Sequence, residues 1–155
     1  MIYSGHVNGD VVAIDTSSWR YDLILHSASS IQDVSITQTG DMLAVATVDG
    51  VIYVRTQRES ASHHEVMTWH TLAAPVRCQA LTSDGLLIVL GTDGTIRIYS
   101  IARRQWLWIP VGTADFRRVV VSGDETRAVA VDYAGRLLWV DLAAARRQLA
   151  EPSAE

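Results

Sequence analysis

The sequence contains no lysine: all 13 of its basic residues are arginine, set against 17 acidic ones. The missing lysine carries no functional weight, but the resulting net charge of −4 does. Nonspecific nucleic-acid binding usually leaves a basic footprint, and this chain has none overall. Cysteine is nearly absent as well. The lone Cys78 excludes an internal disulfide and, lying in a strand-like run, reads as a small buried residue. No apolar run reaches the ~20 residues of a membrane span, and the N-terminus lacks a charged-then-apolar leader. The expectation is a chain with no nucleic-acid or membrane partner, in a reducing, cytoplasmic compartment. Also missing are a phosphate-binding G-x-x-x-x-G-K-[ST] loop, a cysteine-rich metal spacing and any local Ser-His-Asp or Cys-His grouping. The chain is therefore read as no enzyme, with no catalytic, metal or cofactor-binding residues. His63-His64-Glu65 could hold a metal, but neighbours in a polar loop point different ways, and a solvated loop is the simpler reading.

What the chain does have is apolar residues, 48% of it, with 19% charged, which suits one folded domain. The organising stretch is Leu86 to Ser100, LLIVLGTDGTIRIYS. Leu86 to Leu90 is a branched apolar run, as in a buried strand. Asp93-Gly94 signals a hairpin, since the turn needs positive φ. Thr95 to Tyr99 then alternates polar and apolar.

The chain repeats this pattern. Asn8-Gly9, Asp49-Gly50, Asp93-Gly94 and Ala134-Gly135 mark four equivalent hairpins, their glycines 41, 44 and 41 residues apart (9 to 50, 50 to 94, 94 to 135). A period of ~40–45 residues with four strands per unit is that of a propeller blade. An upstream strand recurs too, from Ile31 to Ile36, Val76 to Leu81 and Phe116 to Val121, each opening and closing on an apolar residue. Second turns follow at Thr39-Gly40-Asp41, Ser83-Asp84-Gly85 and Gly123-Asp124-Glu125.

On these residues the chain resembles the WD40 repeat family. GLLIVLGTDGTIRIYSIARRQ, Gly85 to Gln105, looks like the core of one repeat, and TGDMLAVATVDGVIYVRT, Thr39 to Thr56, like another. His26 and His70 resemble the histidine the family places between blades, and Ile14-Asp15, Arg55-Thr56, Tyr99-Ser100 and Val140-Asp141 stand at its Trp-Asp positions. The expected fold is all-β: one propeller segment over residues 1–151, with blades near 1–26, 31–70, 76–109 and 116–151 and a short tail at 152–155. Aligned on the glycines, Met1 coincides with Met42 and Leu86, so the first blade is expected to lack its innermost strand. That makes fifteen strands, with the stretch from Asp141 to Leu149 entering the outer strand of the fourth blade.

An open array of blades would expose faces and edges that invite another chain. The resemblance thus implies a non-catalytic protein-interaction scaffold, a partial propeller completed by a different chain, with a homodimer as second choice. The residues expected to gather near loops on one face and touch a partner are His70, Asp93, Asp115, Arg117 and Tyr133. Two alternatives implied by the family are a ligand-sensing propeller region of a larger signalling NTPase assembly and a propeller enzyme with a site in its central channel.

Overall fold

The structure, a computed structural model, describes residues 1–56, 66–70, 75–112 and 115–151, with the backbone alone for 66–70. The described elements form four antiparallel sheets in chain order. Blade 1 holds β1 (Ile2–Gly5), β2 (Asp10–Ile14) and β3 (Tyr21–His26). Blade 2 holds β4 (Ile31–Ile36), β5 (Met42–Thr47), β6 (Val51–Thr56) and β7 (Val66–His70). Blade 3 holds β8 (Val76–Leu81), β9 (Leu86–Gly91), β10 (Thr95–Ser100) and β11 (Gln105–Pro110). Blade 4 holds β12 (Phe116–Val121), β13 (Arg127–Asp132) and β14 (Leu137–Asp141), followed by helix α1 (Leu142–Ala150). Within each sheet, consecutive strands are hydrogen-bonded neighbours, as in a propeller blade. The fold is all-β in its sheets, and blade 1 has no described strand equivalent to β4, β8 and β12.

The core lies between blades. All six residues of β9 are buried. Its alternate side chains leave on opposite faces: Leu86, Ile88 and Leu90 pack with Phe116, Val119 and Ala130 of blade 4, while Leu87 and Val89 pack with Ala44, Ala46, Ile52 and Val54 of blade 2. Val11 meets Leu43 and Val45 between blades 1 and 2. A strand covered on both faces needs no polar positions, which is why Leu86 to Leu90 reads as an unbroken apolar run.

Turn chemistry repeats with the blades. Thr37, Thr82 and Ser122 each accept, through the side-chain hydroxyl, the backbone N–H of Met42, Leu86 and Arg127 at 2.9–3.1 Å. Each hydroxyl donates to a nearby carboxylate, Asp41, Asp84 or Asp124, at 2.6 Å. In the glycine hairpins, Gly9, Gly50 and Gly135 close turns by donating N–H to His6, Thr47 and Asp132 carbonyls. By their hydrogen bonds the turns between His6 and Asp10 and between Asp132 and Arg136 hold three residues with the glycine last, as does the loop between β5 and β6, rather than two-residue turns centred on the glycine. The four glycines at 9, 50, 94 and 135 have φ between 73 and 89°. Gly112, between blades 3 and 4, has φ 82°, so its conformational demand equals theirs.

One element differs from expectation. Where the sequence predicts the outer strand of blade 4, the chain forms α1, so the described residues hold fourteen strands and one helix where fifteen strands were expected. Asp141 caps the helix, its carboxylate accepting the Ala144 N–H at 2.8 Å. The segment holds three consecutive alanines and no β-branched residue, a helix-forming composition. Leu142, Ala145 and Leu149 then bury one stripe of it against the core between blades 3 and 4. No described helix is long and apolar enough to cross a membrane.

Two predictions follow from this geometry. A Cβ on Gly9 would collide with the Ser27 carbonyl oxygen, whereas one on Gly135 would meet open space. Gly135→Ala should therefore cost only the left-handed backbone penalty of about 1–2 kcal/mol. Gly9→Ala should lower the urea midpoint further, because it also pushes the β1–β2 hairpin off Ser27; equal midpoints would mean that this contact yields freely. The turn carboxylates set an acid limit. Hydrogen bonds from Ser17 and Ser122 respectively hold Asp15 and Asp124 down at about 2. Asp41 and Asp49 are lowered by the Thr37 and Thr47 hydroxyls, and Asp84 by Arg146. A depressed carboxylate adds stability above its unfolded value and loses it as pH falls toward the folded one. The melting temperature should thus hold down to about pH 4 and drop most steeply from there toward pH 2, as read by thermal denaturation across that range.

Candidate functional site

The inner strands β4, β8 and β12 stand side by side and line one open groove of about 660 Å³. Each begins with an apolar residue turned into the core (Ile31, Val76, Phe116), and each then carries a β-bulge. The extra residue is Gln32, Arg77 or Arg117, in equivalent places of three successive blades. A bulge re-aims the side chain it adds, and here all three line the groove.

The hairpin at the same end of each blade is tied to the connection before the inner strand. Val48, Thr92 and Tyr133 donate their backbone N–H groups to the carbonyls of Ser30, Pro75 and Asp115 at 3.0–3.1 Å. This brings Tyr133 over the bulges of blades 3 and 4. Arg77 and Arg117 stand 5.9 and 6.0 Å from its ring centre. Arg77 also donates to the Asp115 carboxylate at 3.3 Å, and its carbonyl accepts from the Gln32 amide at 3.3 Å. Three of the five expected contact residues, Asp115, Arg117 and Tyr133, are thus brought together.

The other two are elsewhere. Asp93 is spent inside blade 3: it accepts from Thr95 and pairs with Arg97, whose side chain is only 2% exposed and lies 4.7 Å from the Trp108 ring centre. His70 ends β7 with its backbone paired to Val51, and its side chain lies outside the described residues. So does the possible metal loop His63-His64-Glu65. His26, read as a histidine between blades, instead pairs within blade 1, its Nδ1 2.7 Å from the cross-strand Asp10.

Sequence reasoning missed Arg77 and Gln32. Their signal was the second position of each aligned inner strand, where Gln32, Arg77 and Arg117 are all long and polar.

Deeper in the groove, Asp33 accepts the backbone N–H groups of Gln79 at 2.7 Å and Val34 at 3.0 Å. Burial pushes its carboxyl above the ordinary value, against the pull of those bonds and of Arg118. Glu125, past the far end of β12, has φ 54° where the equivalent Gly40 and Gly85 are also positive. Its carboxylate takes both the N–H and the hydroxyl of Ser83, at 2.9–3.0 Å, fastening blade 4 to blade 3. Arg146 of α1 completes this clasp through Asp84 at 2.7 Å and the Glu125 carbonyl at 2.8 Å. The groove wall is otherwise amide, guanidinium, hydroxyl and aliphatic, an arrangement able to bind but without a paired acid and base.

Residues 63–100 match the family model described as WD domain, G-beta repeat. That stretch runs from before β7 to the end of β10, so the sequence repeat straddles blades 2 and 3. No curated protein matches the chain by sequence. Among solved structures, the β-propeller domain of Cps50 (Swd1) from Myceliophteria thermophila superposes with a TM-score of 0.73 at 15% identity. The match covers 92% of this chain and 48% of that one, so the chain spans about half the length of the propeller it matches.

Cys78 provides a test of the groove wall. Its side chain is buried, and burial, with Asp33 nearby, pushes its thiol up to about 12. The thiolate is the reactive form. The native protein should therefore leave Cys78 unmodified by an aromatic disulfide reagent at pH 8, and denaturant should release one thiol per chain. Rapid reaction in the native state would mean that the inner strand opens to solvent.

One stretch of the chain, residues 63–100, matches a WD40 repeat, and the fold over most of its length is that of about half a β-propeller.

Proposed function

We propose that this chain is a non-catalytic protein-interaction scaffold of the cytoplasm, one part of a WD40-type propeller whose further blades come from another chain. The observation that carries the reading is the exposure of both outer blade faces. Ile2, Tyr21 and Leu23 lie open on blade 1, and Val120, Leu137 and Trp139 on blade 4, with Trp139 67% exposed. Equivalent faces between the blades are closed: Leu87, Ile88 and Val89 are all 0% exposed. Large apolar patches on a surface mark interaction sites. The half-length match to a propeller supports the same reading.

Our first choice of partner is a different chain, with a second copy as the alternative: among the described strands β1 pairs only with β2, an inner edge that another strand can join. The groove mouth, with Arg77, Asp115, Arg117 and Tyr133, is the surface such a scaffold would offer to a ligand.

Two blade faces covered in this way imply an obligate interface on the order of 2,000 Å² or more. The purified chain should sediment as associated species at micromolar concentration, and Trp139→Asp with Leu137→Asp should shift it toward monomer. A well-folded, stable monomer that neither assembles nor binds an apolar dye would overturn the reading. The composition and mass of the native particle then distinguish a different chain from a second copy.

A further inference from the structure

We propose that the groove mouth formed by Arg77, Arg117, Arg118 and Tyr133 binds an acidic peptide segment, with its carboxylates on the arginines and its backbone along the groove. The inference rests on the scaffold reading and names the ligand class of that same surface.

Charge is the first argument. The chain carries −4 overall, so acidic groups are plentiful. Four of the described arginines pair with them: Arg77 with Asp115, Arg97 with Asp93, Arg136 with Asp132 and Arg146 with Asp84. Arg117 and Arg118 are exposed and form no ion pair among the described residues. Arg118 stands near enough to Asp33 to pull on its carboxyl, but neither guanidinium is neutralised by an ion pair among the described residues, and the two adjacent charges make a local positive patch. The acids that do stand near are engaged: Asp33 holds backbone N–H groups, and Asp115 faces Arg77.

Geometry is the second. Arg77 and Arg117 both lie about 6 Å from the one Tyr133 ring. Two like charges held on a single ring repel, and an added carboxylate between them relieves that repulsion. The bulges and the Tyr133 backbone bond fix these groups in advance, so little ordering is needed on binding. A guanidinium also presents a donor fork that matches a carboxylate.

The third is room. The groove, about 660 Å³, runs down three inner strands, and Gln32, Gln79 and Ser35 on its wall can hydrogen-bond a peptide backbone. That shape suits an extended chain rather than a compact anion.

The probe is a fluorescein-labelled ten-residue peptide of alternating Glu and Ser, titrated with the whole chain and followed by fluorescence anisotropy. Saturable binding is expected, weakening by about tenfold or more as salt is raised well past the screening range. Arg117→Gln with Arg118→Gln should weaken it by about tenfold or more. Arg103→Gln with Arg104→Gln, in the exposed β10–β11 turn, should leave it unchanged. Arg118→Gln alone carries the test if the double variant melts outside the parent range. Absence of binding, equal binding of the Gln-Ser peptide, or equal loss from both arginine pairs would overturn the proposal. Binding of a phosphoserine peptide without the Glu-Ser peptide would overturn the carboxylate assignment. Sedimentation of the same sample separates the two readings: an assembled particle that ignores the peptide defeats this inference alone, and a stable monomer that binds it defeats completion of the propeller alone.

Discussion

The structure depends on burial of β-sheet faces against neighbouring sheets. A three- or four-stranded blade has two broad faces and little interior of its own. β9 shows the consequence: Leu87 and Val89 are closed by blade 2, Ile88 and Leu90 by blade 4, and removing either neighbour would open half the strand. At about 1.5–3 kcal/mol for a fully buried aliphatic side chain, these contacts outweigh the exposed ion pairs, whose typical worth is below about 1 kcal/mol. Polar clasps such as Glu125 with Ser83 and Arg146 with Asp84 therefore set the angle between blades more than they hold them together.

That division of labour explains where the candidate site lies. Inner strands pack their first residues, Val76 and Phe116, into the core with almost no exposure. The next residue is displaced by a bulge and cannot follow them inward. Whatever stands there is delivered to the groove mouth, and here it is Gln32, Arg77 and Arg117. The repeated N–H bond from the neighbouring hairpin then sets Tyr133 over two of them. Core packing does the positioning, and the identity of the bulged residue is free to suit a ligand.

Much of the fold was legible because turns and strand periods are local. The glycine spacing and the apolar runs reflect constraints that each blade meets by itself. The failures came where the deciding contact was distant. Ala102-Arg103-Arg104-Gln105 and Ala145-Arg146-Arg147-Gln148 are the same four residues, yet the first is a turn with Arg104 at φ 57° and the second is helix. What differs is the flank. Trp106 to Pro110 continues as a strand beside β10, whereas Leu142, Ala145 and Leu149 form a helical stripe buried in the core between blades 3 and 4. At the site, the face shared by Asp115, Arg117 and Tyr133 could be read from the propeller period. Arg77 was missed because its signal, a long polar residue at the second position of each inner strand, shows only when the blades are compared, and Asp93 misled because its partner Arg97 reads as the polar, outward residue of an alternating strand.

Helix α1 also bears on how the outer faces are used. In blades 2 and 3 the third strand is paired on both edges, by β7 and β11 respectively. In blade 4, β14 pairs only with β13 among the described residues, because α1 turns away toward blade 3. The helix buries Leu142, Ala145 and Leu149 there, so it strengthens the contact between blades 3 and 4 while leaving Trp139 and Leu137 uncovered on the other side. The two blades that carry Arg77, Arg117 and Tyr133 are thus the pair most firmly fixed to each other, by a large apolar cluster and by the Arg146 clasp. On the proposed reading this separates two tasks. The mouth keeps its geometry whether or not the outer face of blade 4 is occupied, and the apolar faces remain available for assembly.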